Sequence, residues 1–440
     1  MKNTDKFIKS KINFIKHSFT GGNITMYSGI NVITKYLKRD KTINLISKLF
    51  PTKKENATKF TKFQVIMAIT FASLAGINRI KKIANFTQDP LIQANLGLNK
   101  ALNENVISST LKSMGQSGAR KLEEELLNKN SIYLKDSKIT NLIFDGDSTV
   151  SMTSGNQEGA KKGFNSKKKG AKSYHPQLLF ESNSKILYNT WFRSGDSYTS
   201  NGMSEFLKET QASLPNTIDN VFFRADSGYF GGKLLDTLEG FCWDYLIKVK
   251  LKNLTKLLEK QEWTKISGKK DIAICEFDYT TTSWNGKVRK LKGIRSVKEY
   301  IETDFLGEKQ VVPVYQYACY ISSYLQKDAT ELHDLYKERS TSETWIEQVK
   351  GHLLAGKTLT DDFWANDILW QLNCFAYNIS VMMRSKHKKF KRQEHQTFRE
   401  WFIVVPAKIV SGGHTKEVKI YENYYCKSNW IEFDNFLNVA

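Results

Sequence analysis

KITNLIFDGDSTV, at residues 138–150, marks the point where the pattern of this chain changes. It is a short apolar run that ends in two acids, Asp145 and Asp147, and it follows a region of helical periodicity. Carboxylates at the end of an apolar strand are costly unless they face water, a partner or a metal ion. Asp145 and Asp147 are therefore candidate site residues, although turn and helix-cap aspartates produce the same pattern.

Further strand-like runs follow and alternate with helical periodicity. HPQLLFE (175–181) and KILYNTWFRSG (185–195) are predicted to pair through a Ser-Asn-Ser turn. DNVFFRADSGYF (219–230) is a buried strand that ends in Asp226, and DYLIKVK (244–250) is another strand. This alternation predicts an α/β fold. Because α/β sheets build their sites at the carboxyl ends of strands, Asp226 joins the candidate residues.

The region before this sheet is mostly helical in pattern. A buried helix is predicted at 62–76, and a shorter one at 103–115, for which Asn103 and Asn105 are alternative caps. Short helices joined by tight turns are compatible with a helix-turn-helix that enters a DNA groove. They are equally compatible with an ordinary helical bundle.

After these strands the hydrophobic periodicity of the sequence changes twice. Residues 251–328 are polar and alternate like antiparallel strands, and helical periodicity returns over 329–355 and 362–384. The final segment, 391–440, mixes strand-like and aromatic runs and supports no assignment.

The charge of the chain indicates its partner. In 440 residues there are 66 Lys and Arg against 45 Asp and Glu, a formal net charge of +21. The basic residues cluster at 1–60, 161–172 and 384–392. Such clusters favour a polyanion, nucleic acid first, although Lys-rich surfaces can serve solubility alone. A hydrophobic content of 40% with 12% aromatic residues excludes a largely disordered chain.

Several function classes are disfavoured by what the sequence lacks. The five cysteines are isolated from one another, which indicates neither a zinc module nor a disulfide framework and fits a reducing cytoplasm. The N-terminus has no signal-peptide core, and the longest apolar run, 65–76, is shorter than the ~20 residues of a membrane span. The absence of HExxH, Walker A and GxGxxG patterns argues against a zinc hydrolase and against a nucleotide cofactor.

A third acid lies in LYKERSTSETWIEQVKGH (335–352). On a regular helix, one polar side of this segment would carry Tyr336, Arg339, Glu343 and Lys350, within about 60° of one another. The adjoining apolar stripe, which would hold the helix against the sheet, is Trp345, Ile346, Val349 and Leu353. Glu347 shares the polar face and is a rival to Glu343. A merely solvated helix face is the common alternative for such a charge pattern.

Three carboxylates from separate elements suit phosphodiester chemistry. Cleavage requires an activated water, a stabilised leaving oxygen and neutralised charge on the phosphorus centre. Two Mg²⁺ ions can supply all three, and Mg²⁺ prefers carboxylate oxygens as ligands.

These residues resemble the DDE transposases of bacterial insertion sequences. The group in question has an RNase H-like core and a Y-x2-R-x3-E-x6-K signature, which 336–350 matches completely. Asp147-Ser148-Thr149 and Arg224-Ala225-Asp226 resemble the strand ends that carry its first two acids, and 155–180 resembles its segment after the first acid. The 117 residues from Asp226 to Glu343 match the β-rich insertion of that group.

The resemblance implies a domain organisation. It consists of a helical DNA-binding region at 1–135, an RNase H-like catalytic core at 136–250 and 329–390, a β-rich insertion at 251–328, and a C-terminal region at 391–440.

The resemblance also implies roles for individual residues. The catalytic and metal-binding triad would be Asp147, Asp226 and Glu343. Asp145 lies outside the pattern and is expected to face the opposite side, because Asp145 and Asp147 share a face only if the strand continues; Asp145 is therefore a second choice. Phosphate contacts near the scissile bond would come from Tyr336, Arg339 and Lys350. A loop on the DNA backbone would contain Lys161, Lys162, Lys167, Lys168 and Lys169. Trp284 would stack on a flipped base, or else it belongs to the core of the insertion.

The implied function is cut-and-paste transposition. The protein would bind the terminal inverted repeats of its element in double-stranded DNA, cut with two Mg²⁺ ions (or Mn²⁺), and join the freed 3′ hydroxyl to target DNA. Pairing of two ends implies a homodimer in the synaptic complex, and the expected location is the bacterial cytoplasm, associated with the nucleoid. The alternatives are an RNase H-like nuclease or resolvase without strand transfer, and a non-catalytic DNA-binding regulator.

Overall fold

The structure is a computed structural model. It describes residues 18–19, 21–51, 60–153, 155–163, 165, 168–305, 308–353, 355, 360–385, 387–412 and 415–439. Parts of the basic N-terminal region (1–17 and 52–59) and Lys167 lie outside these described residues.

The helices of the described chain fall mainly before and after a central block of strands. In chain order they are α1 (Gly29–Arg39), α2 (Thr42–Leu49), α3 (Lys62–Leu74), α4 (Ile80–Phe86), α5 (Pro90–Leu96), α6 (Glu104–Asp136), α7 (Met203–Ser213), α8 (Gly232–Gly240), α9 (Leu254–Glu259), α10 (Ala329–Lys337), α11 (Thr341–Glu347), α12 (Phe363–Ser385), α13 (His395–Phe398) and α14 (Lys427–Val439). Shorter 3₁₀ turns lie at Ser227–Tyr229, Thr282–Trp284 and Glu338–Ser340, and π-helical turns at Gln348–His352 and Arg399–Ile403.

The strands are β1 (Ile24–Thr25), β2 (Asn141–Ser148), β3 (Ser151–Met152), β4 (Lys161–Lys162), β5 (Lys172–Tyr174), β6 (Gln177–Glu181), β7 (Leu187–Trp191), β8 (Asn220–Ala225), β9 (Asp244–Lys248), β10 (Thr264–Ile266), β11 (Lys269–Tyr279), β12 (Arg289–Phe305), β13 (Glu308–Ser322), β14 (Ala407–Gly412) and β15 (Thr415–Ile420).

One large mixed sheet organises the molecule. Nine strands lie in the order β10-β11-β12-β13-β9-β8-β2-β6-β7. The central strands β2, β8 and β9 run parallel to one another, and their outer neighbours pair antiparallel. The predicted α/β sheet, the predicted pairing of 175–181 with 185–195, and the antiparallel strands of 251–328 are confirmed. Two three-stranded sheets complete the fold, β3-β5-β4 and β1-β14-β15.

The helices cover the sheet and bury its core. Helix α12 packs against α3, α6 and β7, so elements from both ends of the chain share one core. Helix α3 is apolar on nearly all sides and buried from Val65 to Leu74, and Thr61 and Gln64 close a capping box at its start. The helix predicted at 62–76 is therefore confirmed.

The predicted helix at 103–115 differs from the observed one. Asn103 caps it by accepting a hydrogen bond from the backbone N–H of Val106, at 2.8 Å. Gly115 adopts a left-handed conformation (φ 51°), yet the helical path resumes and α6 continues to Asp136. Glycine accommodates this conformation because it has no Cβ, so here it interrupts a helix without ending it.

Candidate active site

The ends of two adjacent parallel strands bring Asp147 and Asp226 together. In the register of β2 and β8, Gly146 lies beside Ala225, so the two aspartates follow at the same edge of the sheet. Neighbouring strands are about 4.8 Å apart, which makes these backbone positions immediate neighbours. Asp226 caps the following 3₁₀ turn, where its Oδ1 accepts a hydrogen bond from the Gly228 N–H at 2.9 Å.

Asp145 forms a buried ion pair with an arginine of the neighbouring strand. Strand β2 continues to Ser148, so Asp145 and Asp147 share a face of the sheet, and the expectation of opposite faces is wrong. Both oxygens of the fully buried Asp145 accept hydrogen bonds from the Arg224 guanidinium, at 2.8 and 3.0 Å. This bidentate ion pair joins β2 to β8 and engages both carboxylate oxygens of Asp145.

The third acid comes from an interrupted helix. The regular helix assumed for 335–352 is replaced by α10, a 3₁₀ turn, α11 and a π-helical turn. These elements carry, in order, Tyr336, Arg339, Glu343 and Lys350. The predicted apolar stripe does hold the segment down, because Trp345, Val349 and Leu353 are buried and Trp345 packs on Phe180.

Arg339 joins this segment to the first aspartate. Its Nη2 donates a hydrogen bond to Asp147 Oδ2 at 2.8 Å. The Arg339 side chain is only 7% exposed, its Nε has no hydrogen-bond partner, and the Tyr336 ring lies 5.9 Å from the guanidinium. The predicted phosphate-binding arginine is thus paired with a predicted metal-binding carboxylate in this structure.

Negative charge is crowded around Asp147. Burial raises the pKa of Asp147 to about 6, although Arg339 acts in the opposite direction. The charges of Asp226 and Glu343 raise this pKa further, so both carboxylates act electrostatically on Asp147. Glu343 is exposed and lines a cavity of about 690 Å³ between α10 and the strands β11–β13.

Lys350 is held at the rim of the site. Its ammonium donates to Thr149 Oγ1 and to the Val150 carbonyl, both at 2.8 Å. These contacts tie the end of the helical segment to the chain that leaves β2, next to Asp147.

The fit of this donor set to a divalent cation can be judged from its chemistry. Three carboxylates supply the hard oxygen ligands that Mg²⁺ and Mn²⁺ accept. Burial is the main cause of the raised pKa of Asp147, the charges of Asp226 and Glu343 add to it, and a bound cation would offset these effects. Over the part of the chain that the structure describes, no three His, Cys, Asp or Glu side chains form a ready metal-binding group. The three carboxylates therefore fit a divalent cation by charge and ligand type. In this structure one of them, Asp147, accepts a hydrogen bond from Arg339.

Trp284 lies in the interior. It is 2% exposed and packs against Phe230 and Tyr279, and the Arg289 guanidinium lies 5.0 Å from its ring. A stacking role requires an open ring face, so this placement favours the core role that we set beside it.

The lysine-rich segment is ordered by a small sheet. Lys161 and Lys162 form β4, and the exposed Lys168 and Lys169 form the turn before β5. Lys161 pairs with Asp196, 3.0 Å away, on the surface. Four of the five predicted lysines are thus exposed, and the fifth, Lys167, lies outside the described residues.

Two side chains beside the aspartates were missed in the sequence. His175 Nδ1 lies 2.6 Å from the Ser197 carbonyl and must donate to it, so its Nε2 accepts from the Ser148 hydroxyl, 3.0 Å away. Burial lowers the pKa of His175, which keeps it neutral. Tyr229 is fully buried, and the charges of Asp147 and Asp226 act on its hydroxyl. The only signal for His175 in the sequence was its position at the start of the strand predicted at 175–181.

No helix among the described residues is long and apolar enough to cross a bilayer.

Comparisons with known proteins supply the family. The model of a family described as "Transposase DDE domain group 1" matches residues 8–434. A comparison with curated protein sequences gives no significant match.

Solved structures of transposases show weak likeness. A cryo-EM structure of the piggyBac transposase synaptic complex with hairpin DNA is 12% identical with a TM-score of 0.46, over 85% of this chain and 79% of that one. A Mos1 transposase paired-end complex with the left transposon end is 10% identical with a TM-score of 0.18, over 56% of this chain and 71% of that one.

The family match extends over almost the whole chain and includes all three candidate acids. The chain therefore belongs to the DDE transposase family, domain group 1.

Proposed function

We propose that this protein is a DNA transposase that binds the terminal inverted repeats of its element, cuts DNA there and joins the freed 3′ hydroxyl to a target. The observation that carries the proposal is the placement of Asp147 and Asp226 at the same edge of the sheet, where the charge of Glu343 also acts on Asp147. Glu343 and Glu347 are both exposed on α11, and the influence of Glu343 on the pKa of Asp147 favours Glu343 as the third acid.

The topology supports an RNase H-like core. In the order β7-β6-β2-β8-β9 the first three strands are antiparallel and the last three are parallel. Strands β10–β13 come between β9 and α10 in the chain, where the β-rich insertion is expected. The helical region at 1–135 is proposed to bind DNA, and the segment 391–440 is proposed as a separate C-terminal region. Basic charge is the only support for the DNA-binding assignment.

Each site residue has a task that follows from its contacts. Asp147, Asp226 and Glu343 would hold two Mg²⁺ or Mn²⁺ ions. When bound, such ions would lower the pKa of an attacking water and neutralise charge on the phosphate. Gly228 orients Asp226 through its N–H, and Thr149 and Val150 orient Lys350. Lys350 is thereby positioned to bind a phosphate as a point charge.

Arg339 has two possible partners in this function. Its planar guanidinium suits a phosphate as well as a carboxylate. While no DNA phosphate is at the site, the pair with Asp147 neutralises a buried carboxylate. Transfer of Arg339 to a phosphate would leave Asp147 with its full charge for cation binding.

The proposal extends to assembly and location. Synapsis of two DNA ends requires two copies of the active site, so a homodimer is proposed for the DNA-bound state. The proposed setting is the bacterial nucleoid, in keeping with the net charge of +21.

Strand transfer is the decisive experiment. The purified protein is incubated with Mg²⁺, an unlabelled plasmid, and a duplex in which the inverted repeat is joined to flanking DNA and is labelled within the strand whose 3′ end is to be freed. We expect the label to be released from the flanking DNA and then to be joined covalently to the plasmid. Cutting without joining would indicate the nuclease or resolvase, and binding without cutting would indicate the regulator. The Asp147→Asn variant controls for contaminating nucleases.

A further inference from the structure

A second charged site lies at the other end of the central strands. The turn between β6 and β7 returns to the start of β2, where the Ser182 N–H donates to the Ile143 carbonyl at 2.8 Å. This turn borders a cavity of about 580 Å³, which also contacts α6, α11 and α12. Ile143 precedes Asp147 by four residues, so this turn meets β2 about 13 Å along the strand from Asp147, at ~3.3 Å per residue.

Four cations line this cavity. They are Lys185, Arg384, Lys391 and Arg392. Lys391 and Arg392 are exposed at the mouth, Lys185 is half-buried at the turn, and Arg384 is 4% exposed at the floor. Uncharged hydrogen-bonding side chains, among them Asn183 and Gln393, complete the lining.

Over the described part of the chain, none of these four cations forms an ion pair. The contrast lies within one basic run, 384–392. There His387 and Lys389 both pair with Glu432, at 3.3 and 2.9 Å, and both lie outside the cavity. Arg384 instead donates its Nε to the Ser380 carbonyl at 3.0 Å, and its guanidinium lies over the Phe398 ring.

The neighbouring acids leave the cavity electropositive. Glu181 is buried and accepts hydrogen bonds from the turn amides of Asn183 and Ser184. Glu394, which is exposed, acts on Arg384 only through its charge. Burial lowers the pKa of Lys185, and the charges of Arg384, Arg392 and Lys391 lower it further. The four cations therefore repel one another at close range without a carboxylate that neutralises them.

A buried arginine close to three further cations is costly when no counter-charge neutralises it, and a bound anion would offset that cost. We propose that this cavity is a second phosphate site, which holds a phosphodiester group of DNA at the end of the sheet opposite Asp147. Its volume and its fork-shaped arginine donors suit a backbone phosphate, and its separation from the carboxylates excludes the phosphate that is cut. The choice of DNA as the source of the phosphate rests on the proposed function.

Two variants remove charge from the site with little effect on folding. Lys391→Gln/Arg392→Gln changes exposed residues at the mouth. Lys185→Asn changes a residue whose φ is 66°, a conformation in which asparagine is tolerated better than lysine. A matched control, Lys388→Gln/Lys389→Gln, removes two charges from the same run outside the cavity.

Binding to a 40-bp duplex of arbitrary sequence is measured by fluorescence anisotropy over a range of salt. We expect both site variants to lose affinity, by about tenfold for each lost phosphate contact at 0.1 M salt, with a salt slope smaller by about 0.9 for each contact. The control should keep the slope of the wild-type protein. An equal loss in the control would overturn the proposal, because diffuse charge would then explain the binding.

Lysine acetylation, read by mass spectrometry, locates the contact. Duplex DNA should protect Lys185 and Lys391 at least severalfold more than Lys388. Protection by inorganic phosphate alone, with none by the duplex, would make this a small-anion site and would also overturn the proposal. Neither measurement requires cutting. Failure of strand transfer with intact protection would reject the proposed function alone, and normal strand transfer without protection would reject this site alone.

Discussion

The two ends of the central strands carry opposite and unequal charge. At the carboxyl end of β2, Asp147 feels the charges of Asp226 and Glu343 and is paired with one buried cation, Arg339. At the amino end, four cations surround a cavity and none is paired with a carboxylate among the described residues. The same nine-stranded sheet supports both ends. The sheet thus carries excess negative charge near Asp147 and excess positive charge at the cavity. Each of these two places is suited to a ligand of the opposite sign.

The largest effect is expected at the carboxylate end. Asp226→Asn keeps the oxygen that accepts from Gly228, so the fold should be unchanged, but one ligand charge is lost. We expect cleavage to fall by about 10³-fold or more, because metal-assisted charge stabilisation is worth several kcal/mol. Single-turnover cleavage of a labelled end measures this loss, and anisotropy should show end binding within about twofold of the wild type. Normal cutting would remove Asp226 from the triad.

Asp145, which lies two residues before Asp147 on β2, should affect stability instead. Asp145→Asn leaves the buried Arg224 without its carboxylate, and breaking a buried ion pair costs about 3 kcal/mol. Urea denaturation should show this loss, whereas Asp226→Asn should lie within about 0.5 kcal/mol of the wild type. Equal stability of the two variants would contradict the division of tasks between adjacent acids.

Arg339 provides a smaller and more specific test. Arg339→Gln removes the cation that competes for Asp147, so we expect Mn²⁺ to bind about tenfold more tightly in the absence of DNA, equivalent to about 1.4 kcal/mol. Electron paramagnetic resonance of free Mn²⁺ measures this affinity. Weaker Mn²⁺ binding in the variant would show that the arginine orders the carboxylates and does not compete with the cation.

The smallest effect is expected at Glu347. This residue is exposed on α11 four residues after Glu343, so Glu347→Gln should change cleavage by no more than about twofold, as is usual for a surface position away from the chemistry. Glu343→Gln, measured in parallel, should lose cleavage as Asp226→Asn does. An inactive Glu347→Gln protein would exchange the roles of the two glutamates.

Local sequence patterns predicted the elements that carry the site. Apolar runs that end in acids located β2 and β8, and parallel neighbours necessarily bring their carboxyl ends to one edge. Periodicity also located α3 and the antiparallel strands β11–β13. These features depend on residues close together in the chain.

Features that depend on distant contacts were not predictable. The pairing of Arg339 with Asp147, the burial of Trp284 and the breaks on either side of α11 are set by packing between separate elements. The cationic cavity combines Lys185 with residues of the run 384–392, about 200 positions later in the chain. The sequence shows that this run is basic, but not which of its members are already neutralised.

The continuity of the large sheet links its outermost hairpin to the candidate site. Strand β13 pairs directly with β9 at Tyr320–Ser322, so β12 and β13 are joined to the core by the sheet itself. Among the described residues, these two strands pair beyond Val297 only with each other out to Phe305, as a ribbon that extends for about 26 Å at ~3.3 Å per residue. The base of the ribbon is therefore connected through β9 to β8, the strand that Asp226 directly follows.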